Sequence, residues 1–399
     1  MSADVKPGYK QTEIGVIPDD WSVCELGDLA PYVTSGSRGW AEYYSDRGDP
    51  FIRITNLSRS TIYIDQADLR FVQIPDGDSE GQRTALIDGD LLISITADIG
   101  IIGYVDSSLS KPAYINQHIA LVRFKDLGVD SKYLSYFLAG EVTQRLFRSS
   151  TDQGAKAGMN LAGIRSIKAV LPPIAEQRAI SAALSEMDNL LSNLDQLIAK
   201  KRNIQQAAMQ QLLTGQRRLP GFRGEWKVKR LGDVANLYQP VTISARQLTN
   251  SGYPVYGANG VVGFFSEFNH ETSQITVTCR GSTCGTVNRT VEKSWITGNA
   301  MVINCDHSKT ISKDFLYFLL LGQDLSVCIT GTGQPQIVRS PLANFELAIP
   351  SDMKEQTAIT TILSDIDTEL AALEARRDKA RQLKQGMMQE LLTGRIRLV

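Results

Sequence analysis

The sequence predicts a mixed α/β (α+β) protein. Two globular, strand-rich domains alternate with two long helices that pair as an antiparallel coiled coil, so that the chain is an internal repeat with pseudo-twofold symmetry. A segment that occurs twice at an offset of 179 residues, helix signals at its ends and short apolar runs between the copies predict this fold. The repeated residues are Glu176/Glu355, Gln177/Gln356, Ala179/Ala358, Ile180/Ile359, Leu184/Leu363, Ser185/Ser364, Asp188/Asp367, Met209/Met388, Gln210/Gln389, Leu212/Leu391, Leu213/Leu392, Thr214/Thr393 and Gly215/Gly394.

The repeated segments are expected to be helices from about Ala175 to Leu213 and from about Met353 to Leu392. Proline suits the start of a helix, and residues 171–173 are Leu-Pro-Pro; Gly215 and Gly394 follow the two ends as C-terminal caps. Apolar residues recur in steps of four and three, which is typical of a coiled-coil seam. Two such narrow seams bury each other if the helices pair; the alternative is that each helix packs only on its own domain. The expected pairing residues are Ile180, Leu184, Met187, Leu191, Leu194, Ile198, Ile359, Leu363, Ile366, Leu370 and Leu373.

Residues 1–170 and 217–350 are expected to form the two domains. Residues 171–216 form the first spacer helix, and residues 351–399 form the second with a C-terminal tail. Short apolar runs at 91–95, 119–122, 275–278 and 300–303 are typical of strands. Both domains begin with a tryptophan, Trp21 or Trp226, and a Leu-Gly-Asp motif starts five residues later, at Leu26 or Leu231. This cue recurs at an offset of 205 residues, so the first domain is the longer by about 26 residues and the two differ in their loops.

The composition is that of a folded protein, with 42% hydrophobic and 21% charged residues. The net charge of −1 argues against binding nucleic acid by charge alone. Residues 20–170 contain 15 basic and 19 acidic residues, and residues 221–350 contain 11 and 9. If the protein binds DNA, partner proteins are expected to supply much of the phosphate neutralisation. The sequence has no run of 18 apolar residues and no apolar segment like that of a secretory signal near Met1, which favours a cytoplasmic location without membrane association.

No pattern of catalytic or metal-binding residues is present. The five cysteines form no Cys-x-x-Cys and are expected to be reduced and metal-free. The sequence lacks a phosphate-binding loop, a strand-linked dinucleotide motif, the Asp/Asn-Pro-Pro-Tyr/Phe of amino-methyltransferases and a Gly-x-Ser-x-Gly elbow. His118 is expected to be a core or loop residue, and Asp88, Asp90 and Asp98 form no recognisable catalytic pair. We therefore expect no catalytic residue and no cofactor in this chain.

Several loops carry side chains that suit DNA reading. In the major groove, Arg pairs with guanine and Asn or Gln with adenine, while glycines let the backbone approach a ligand closely. Ordinary surface loops and structural turns of the same composition are the alternatives. The candidate DNA-binding residues are Arg38, Trp40, Tyr43, Arg53, Asn56, Lys156, Asn160, Tyr256, Asn259, Arg280, Ser282, Thr283, Gln334 and Gln336.

Four short motifs carry a resemblance to a known family. They are the opening Tyr-Lys-Gln-Thr-Glu-Ile-Gly-Val-Ile-Pro-Asp-Asp-Trp (9–21), the helix entry Pro-Pro-Ile-Ala-Glu-Gln (172–177), the Leu-Leu-Thr-Gly exits (212–215 and 391–394) and the loop Gly-Thr-Gly-Gln-Pro-Gln-Ile (331–337). Together they resemble the specificity (S) subunits of type I restriction–modification systems over essentially the whole chain. The second helix entry departs from the pattern, because Pro-Ser-Asp-Met (350–353) replaces Pro-Pro-Ile.

The resemblance implies two target-recognition domains, each reading one half of a bipartite, asymmetric double-stranded DNA site. The helices would set the half-site spacing and dock two modification (methyltransferase) subunits. S-adenosylmethionine, ATP and Mg²⁺ would be bound by those subunits and by the restriction (translocase/endonuclease) subunits, so that this chain is itself non-catalytic. The alternatives are a catalytic nuclease or methyltransferase fragment and a protein-binding scaffold.

Overall fold

A computed structural model describes residues 5–36, 38–75, 77–125, 128–151, 158–331 and 335–398. The chain forms two compact units. Unit 1 comprises Met1–Leu194 and Arg376–Val399, and unit 2 comprises Asp195–Ala375. Each predicted domain lies in one unit, together with part of each long helix. Lys156 and Gln334 lie outside the described residues.

Unit 1 contains short strands, short helices and three 3-10 turns (Leu26–Leu29, Trp40–Tyr43 and Ile54–Asn56), and it leads into a long helix that continues in unit 2. Its strands are β1 (Tyr9–Thr12), β2 (Gly15–Pro18), β3 (Ser22–Glu25), β4 (Tyr32–Ser35), β5 (Tyr44–Ser45), β6 (Asp49–Ile52), β7 (Arg70–Val72), β8 (Leu91–Ser94), β9 (Ile102–Tyr104), β10 (Tyr114–Ile115), β11 (Ile119–Arg123) and β12 (Lys168–Leu171). The helices are α1 (Ser79–Thr84), α2 (Ser131–Ala139), α3 (Glu141–Thr151), α4 (Leu161–Arg165) and the long α5 (Ile174–Leu212).

Unit 2 has the same kinds of element, with 3-10 turns at Ala245–Gln247 and Leu325–Cys328. Its strands are β13 (Trp226–Arg230), β14 (Asn236–Tyr238), β15 (Tyr253–Gly257), β16 (Gly260–Phe265), β17 (Ile275–Thr278), β18 (Val287–Arg289), β19 (Trp295–Ile296), β20 (Ala300–Asn304), β21 (Ile329–Thr330), β22 (Gln336–Ile337) and β23 (Glu346–Pro350). The helices are α6 (Leu231–Val234), α7 (Lys313–Leu321), α8 (Arg339–Ala343) and the long α9 (Met353–Leu391).

The two units share one frame of paired strands. An antiparallel sheet in the order β4-β11-β8-β9 in unit 1 matches β14-β20-β17-β18 in unit 2. A smaller sheet has a short strand added in parallel in both units: β10 pairs with β6, and β19 pairs with β15. Every residue of β8 and β17 is buried, as expected for apolar strands covered on both faces. The strand runs predicted from the sequence are therefore confirmed as the centre of each unit.

The long helices agree with the sequence prediction to within one residue. α5 spans Ile174–Leu212 and α9 spans Met353–Leu391. Gly215 and Gly394 follow the helix ends with φ angles of +72° and +69°, a left-handed conformation that glycine adopts without strain. Even these 39-residue helices are too polar to cross a membrane, and no other helix in the described ranges qualifies.

Within each unit the parts of α5 and α9 pair antiparallel, as predicted. In unit 2, Gln205 donates a hydrogen bond to Asp367, and Arg202 pairs with Glu374, further along α9. Their apolar contact is a cluster of Ile198, Ile366 and Leu370. In unit 1, Lys384 Nζ lies 2.6 Å from Asp188 Oδ1.

The predicted pairing residues divide between the seam and the domain cores. Ile180 and Leu184 belong to the core of unit 1, which also includes Leu391 and Leu392 of the second copy. Ile359 and Leu363 belong to the core of unit 2, and Leu373 is half-buried beside the cluster around Ile198. Leu194 is buried, whereas Met187 and Leu191 are half-buried. Each helix therefore packs both on a domain and on the other helix, and the alternative in which each helix packs only on its own domain is wrong.

Candidate nucleic-acid interface

The first candidate loop of unit 1 is anchored by an aromatic cluster. Trp40 is buried, with its ring 5.7 Å from that of Phe51 and 5.3 Å from that of Tyr114. The half-buried Tyr43 meets Trp40 edge-on at 6.2 Å. Arg38, which precedes this cluster, is exposed. The burial of Trp40 argues against direct base contact and indicates that the aromatic rings hold the loop that presents Arg38.

Arg53 and Asn56 stabilise a long connection in unit 1. Asn56 is buried, and its amide donates to the carbonyls of Asp65 and Asp68 at 3.0 Å each. The Arg53 guanidinium pairs with Asp68 at 3.0 Å. These contacts join the two ends of residues 53–69, so Arg53 and Asn56 stabilise the conformation of this loop. Asn160 also has a local task, because its side chain accepts the Gly163 N–H at 2.7 Å and caps α4, although the residue is exposed.

In unit 2 the candidates Tyr256 and Asn259 lie on one hairpin. β15 and β16 are joined by a tight turn at Ala258 and Asn259, and Asn259 is exposed there. Tyr256 is half-buried, and its hydroxyl accepts the Val291 N–H at 3.2 Å. Asn259 is therefore exposed at the turn, while Tyr256 fixes the strand that leads into it.

Two loops of unit 2 that are far apart in sequence lie side by side. Arg280 and Gln336 form an antiparallel bridge, and the Gly281 N–H donates to the Pro335 carbonyl at 3.3 Å. Arg280, Ser282 and Gln336 are exposed, and Thr283 is half-buried. The fold thus gathers an arginine, a hydroxyl and an amide on one surface, the kinds of group that read base edges.

The carboxylates of unit 1 that a catalytic reading would use are all engaged in ion pairs. Asp88 pairs with Lys111, Asp98 pairs with Arg59, and Asp90 makes two hydrogen bonds of 2.7 Å to Arg123. Burial raises the pKa of Asp90, and the hydrogen bonds from Arg123 partly offset that rise. His118 hydrogen-bonds Thr96 through Nδ1 at 2.5 Å. In the described part of the chain, no group of His, Cys, Asp or Glu residues has the arrangement of a metal site.

Each unit fixes the start of one long helix with the same ion pair. In unit 1, Arg397 binds Glu176 through two hydrogen bonds of 2.7 and 2.8 Å and lies over the ring of Trp21. In unit 2, Arg218 makes the same double contact with Glu355 and lies over Trp226. Both glutamates are only 1% exposed. Neither arginine was among the predicted residues, although both lie at the 179-residue offset that revealed the repeat.

The Glu176–Arg397 pair of unit 1 shifts the pKa of both groups towards their charged forms. Burial alone would raise the pKa of Glu176, but hydrogen bonds from Arg397 and Trp21 outweigh it, so the pKa lies below its usual value. The hydrogen bonds to Glu176 and to Asp20 raise the pKa of Arg397. The start of α5 is therefore held by a fully charged pair, and the Trp21 N–H ties the same carboxylate to the entry of the unit 1 domain at 3.0 Å.

A polar contact between the long helices differs between the units. In unit 1, Asp188 accepts hydrogen bonds from Lys384 and from the Tyr136 hydroxyl, at 2.6 Å each. In unit 2 the equivalent carboxylate, Asp367, is bonded by Gln205. Burial raises the pKa of Asp367, and the Gln205 hydrogen bond lowers it to a smaller extent. A buried ion pair in one unit thus corresponds to a lone carboxylate with an amide in the other.

Comparison with known proteins identifies the family of this architecture. The profile of the type I restriction modification DNA specificity domain matches residues 18–201 and again residues 223–382. The chain belongs to this family. The two matches fall on the two structural repeats, and the resemblance seen in the short sequence motifs is thereby confirmed.

Relatives of full length support the assignment. The chain is 26% identical over 420 residues to a putative type I restriction enzyme specificity subunit, MjaX, of Methanocaldococcus jannaschii, covering 98% of this chain and 97% of the relative. It is 22% identical to the MjaVIII specificity subunit of the same organism, covering 96% and 94%.

Solved structures have the same fold. An S subunit of a type I restriction–modification system from M. genitalium superposes with a TM-score of 0.64 at 15% identity, covering 93% of this chain and 96% of that one. A chain from a structure on complex assembly in the type I system superposes with a TM-score of 0.55 at 17% identity, covering 95% and 99%. The predicted fold class, two strand-rich domains with two long paired helices, is therefore confirmed.

Proposed function

We propose that this chain is the DNA sequence-specificity subunit of a type I restriction–modification complex, in which each domain reads one half of a bipartite, asymmetric site. One observation carries the proposal: a single chain holds two copies of the family's DNA specificity domain that share a frame of strands but differ in their loops. Two unlike readers on one chain suit a site whose halves differ in sequence.

The surface that reads DNA is proposed to include the exposed candidates. In unit 2 these are Asn259, Arg280, Ser282 and Gln336, and in unit 1 Arg38 is exposed beside the aromatic cluster. Arg280 and Gln336 suit guanine and adenine respectively, because their side chains match the major-groove edges of those bases. Trp40 and Asn56 then act by holding the loops rather than by touching bases.

The paired helices are proposed to set the half-site spacing and to dock two modification (methyltransferase) subunits. Those subunits would bind S-adenosylmethionine and methylate the site, and the restriction subunits would use ATP and Mg²⁺. This chain then contributes recognition and no catalytic group, which fits the engagement of Asp88, Asp90 and Asp98 in ion pairs. Partner subunits would also supply the positive charge that a chain of net charge −1 lacks.

Methylome sequencing of the host with and without the gene tests the proposal. We expect a two-part motif with a fixed gap that loses its methylation on deletion and regains it when the gene is restored. An unchanged methylome would contradict a role in modification. The purified chain alone, incubated with S-adenosylmethionine and DNA, is expected to transfer no methyl group. Transfer by the chain alone would favour a catalytic fragment instead.

A further inference from the structure

The β15–β16 hairpin of unit 2 contains a bulge at its tip. Tyr256 pairs with Val261 and Val255 pairs with Gly263, so that Val262 is an extra residue between two pairs. A bulge breaks the alternation by which successive side chains of a strand point to opposite faces. Val261 and Val262 are adjacent, yet they are 52% and 55% exposed. The hairpin therefore presents two apolar side chains next to Asn259.

The position of Val262 is fixed by a glycine on the facing strand. A Cβ added at Gly257 would lie 2.7 Å from Val262 Cγ1, so the valine methyl occupies the space that a larger residue would take. The turn of the hairpin is held as well, because Ala258 accepts a hydrogen bond from Thr278 and the Thr297 N–H donates to the Tyr256 carbonyl at 3.0 Å. The backbone that positions the two valines is thus fixed by hydrogen bonds.

The sequence of the hairpin and its flanks carries no negative charge. Residues 234–266 include no Asp or Glu, and their one basic residue is Arg246. A segment without carboxylates adds no repulsion of its own towards the phosphates on either side of a groove. The apolar tip and the acid-free flanks together favour contact with DNA over contact with a basic protein partner.

We propose that the tip of this hairpin, residues 257–262, enters the major groove of the half-site read by unit 2, where Val261 and Val262 contact the 5-methyl group of a thymine. The major groove admits a two-stranded ribbon, and the thymine methyl is an apolar group exposed in that groove. Asn259 at the turn reaches a neighbouring base edge. This inference rests on the proposed function and adds the chemical feature that the second half-site must contain.

The test uses the assembled complex with its modification subunits and a duplex that carries the site found by methylome sequencing. Each thymine of the two half-sites is replaced in turn by uracil, which lacks only the methyl group. At one thymine of the unit 2 half-site we expect binding to weaken about fourfold, the effect of one buried methyl-sized group. The double variant V261S/V262S is expected to bind the thymine and uracil duplexes equally.

A matched control is V228S, since Val228 is another exposed valine on a strand of unit 2. V228S is expected to discriminate between the thymine and uracil duplexes as the wild type does. Uracil in the unit 1 half-site is expected to change the binding of the wild type, V261S/V262S and V228S equally. Discrimination that persists in V261S/V262S, or no discrimination by the wild type, would overturn the inference while leaving the proposed function intact. Loss of complex assembly in V261S/V262S would also overturn it, because the valines would then contact protein. Absence of any sequence-specific binding by the wild-type complex would instead contradict the proposed function itself.

Discussion

Equivalent segments of the two units are built in opposite ways. In unit 1, residues 53–69 connect β6 to β7 and are tied together by the Arg53–Asp68 ion pair and the buried Asn56. In unit 2, the matching strands β15 and β16 are joined by a tight turn with exposed valines, and residues 234–266 contain no Asp or Glu. The same frame therefore carries a long, internally bonded loop in one place and a short apolar hairpin in the other. Recognition can diverge in such segments without disturbing the sheets beneath.

The helix contacts differ in the same way. Asp188 and Asp367 occupy equivalent positions, but Asp188 has a lysine and a tyrosine as partners and Asp367 has a glutamine. A charge that is paired in one unit is nearly unpaired in the other. At this position the repeat preserves the carboxylate but changes its partner.

The largest expected effect comes from exchanging one domain. Replacing residues 217–350 with the corresponding domain of another family member is expected to change one half of the methylated motif completely and to leave the other half unchanged, because each unit has its own core. Methylome sequencing measures both halves. Exchange of residues 22–170 is the reciprocal control, and a change in both halves after either exchange would contradict independent reading.

A matched insertion in both helices tests whether they set the spacing. Seven residues are inserted after Leu194 in α5 and seven before Arg376 in α9, where the units meet in sequence. Seven residues complete nearly two helical turns, so the apolar seam stays in phase, and they add about 10 Å. The gap in the motif is expected to grow by about three base pairs at 3.4 Å each. An unchanged gap in a complex that still methylates would disprove the spacing role.

Removal of the arginines at the helix starts is expected to affect one unit each. R397M leaves Glu176 buried without its guanidinium, and R218M does the same to Glu355; a buried charge that loses its partner costs about 3 kcal/mol. Hydrogen exchange should show loss of protection in unit 1 for R397M and in unit 2 for R218M. R217M, which alters an exposed neighbour, is the control. Equal loss in both units would show that the units are coupled.

Substitution of the paired carboxylate is expected to destabilise unit 1. D188N removes the negative charge beside Lys384, whose ammonium is then buried without a counterion, and we expect a loss of about 2 kcal/mol in the free energy of unfolding. The double variant D188L/K384M, which removes both charges, should recover most of the loss. A stable D188N would mean that Tyr136 and solvent suffice to hold the lysine.

The equivalent substitution in unit 2 is expected to have the opposite sign. Because burial raises the pKa of Asp367 in the folded protein, ionisation begins to destabilise unit 2 above the ordinary aspartate pKa, and the destabilisation is complete once the pH exceeds the raised value. D367N should therefore stabilise the protein at neutral pH by a few tenths of a kcal/mol, since solvent screens a partly exposed group. The gain should vanish as the pH falls below the ordinary aspartate pKa of about 4, where both states are protonated. A gain that persists at pH 3 would point to packing rather than charge.

The sequence predicts those features that follow from periodicity. α5 and α9 were placed to within one residue because proline, glycine and the apolar spacing mark their ends, and β8 and β17 followed from apolar runs. The direction of a side chain in an irregular loop has no such signal. Trp40 and Asn56 have the residue types of a reading surface, yet the structure buries both.

Some contacts of the repeated residues could not be predicted from comparing the two copies in sequence. Arg218 and Arg397 lie at the shared offset, each followed by a leucine, but their pairing with Glu355 and Glu176 appears only in three dimensions. The contrast between Gln205 and Lys384 was likewise visible as a mismatch between the copies. Its meaning depends on Asp188 and Asp367, which the fold brings into contact with them.

The Arg397 contact has a genetic consequence. This residue neutralises Glu176 and Asp20, which precede it by 221 and 377 residues in the sequence. A stop codon at position 397 would therefore remove the partner of Glu176 in unit 1, while unit 2 would keep Arg218 as the partner of Glu355. A strain with such a mutation should lose specificity for the half-site read by unit 1 while the protein is still present in the cell.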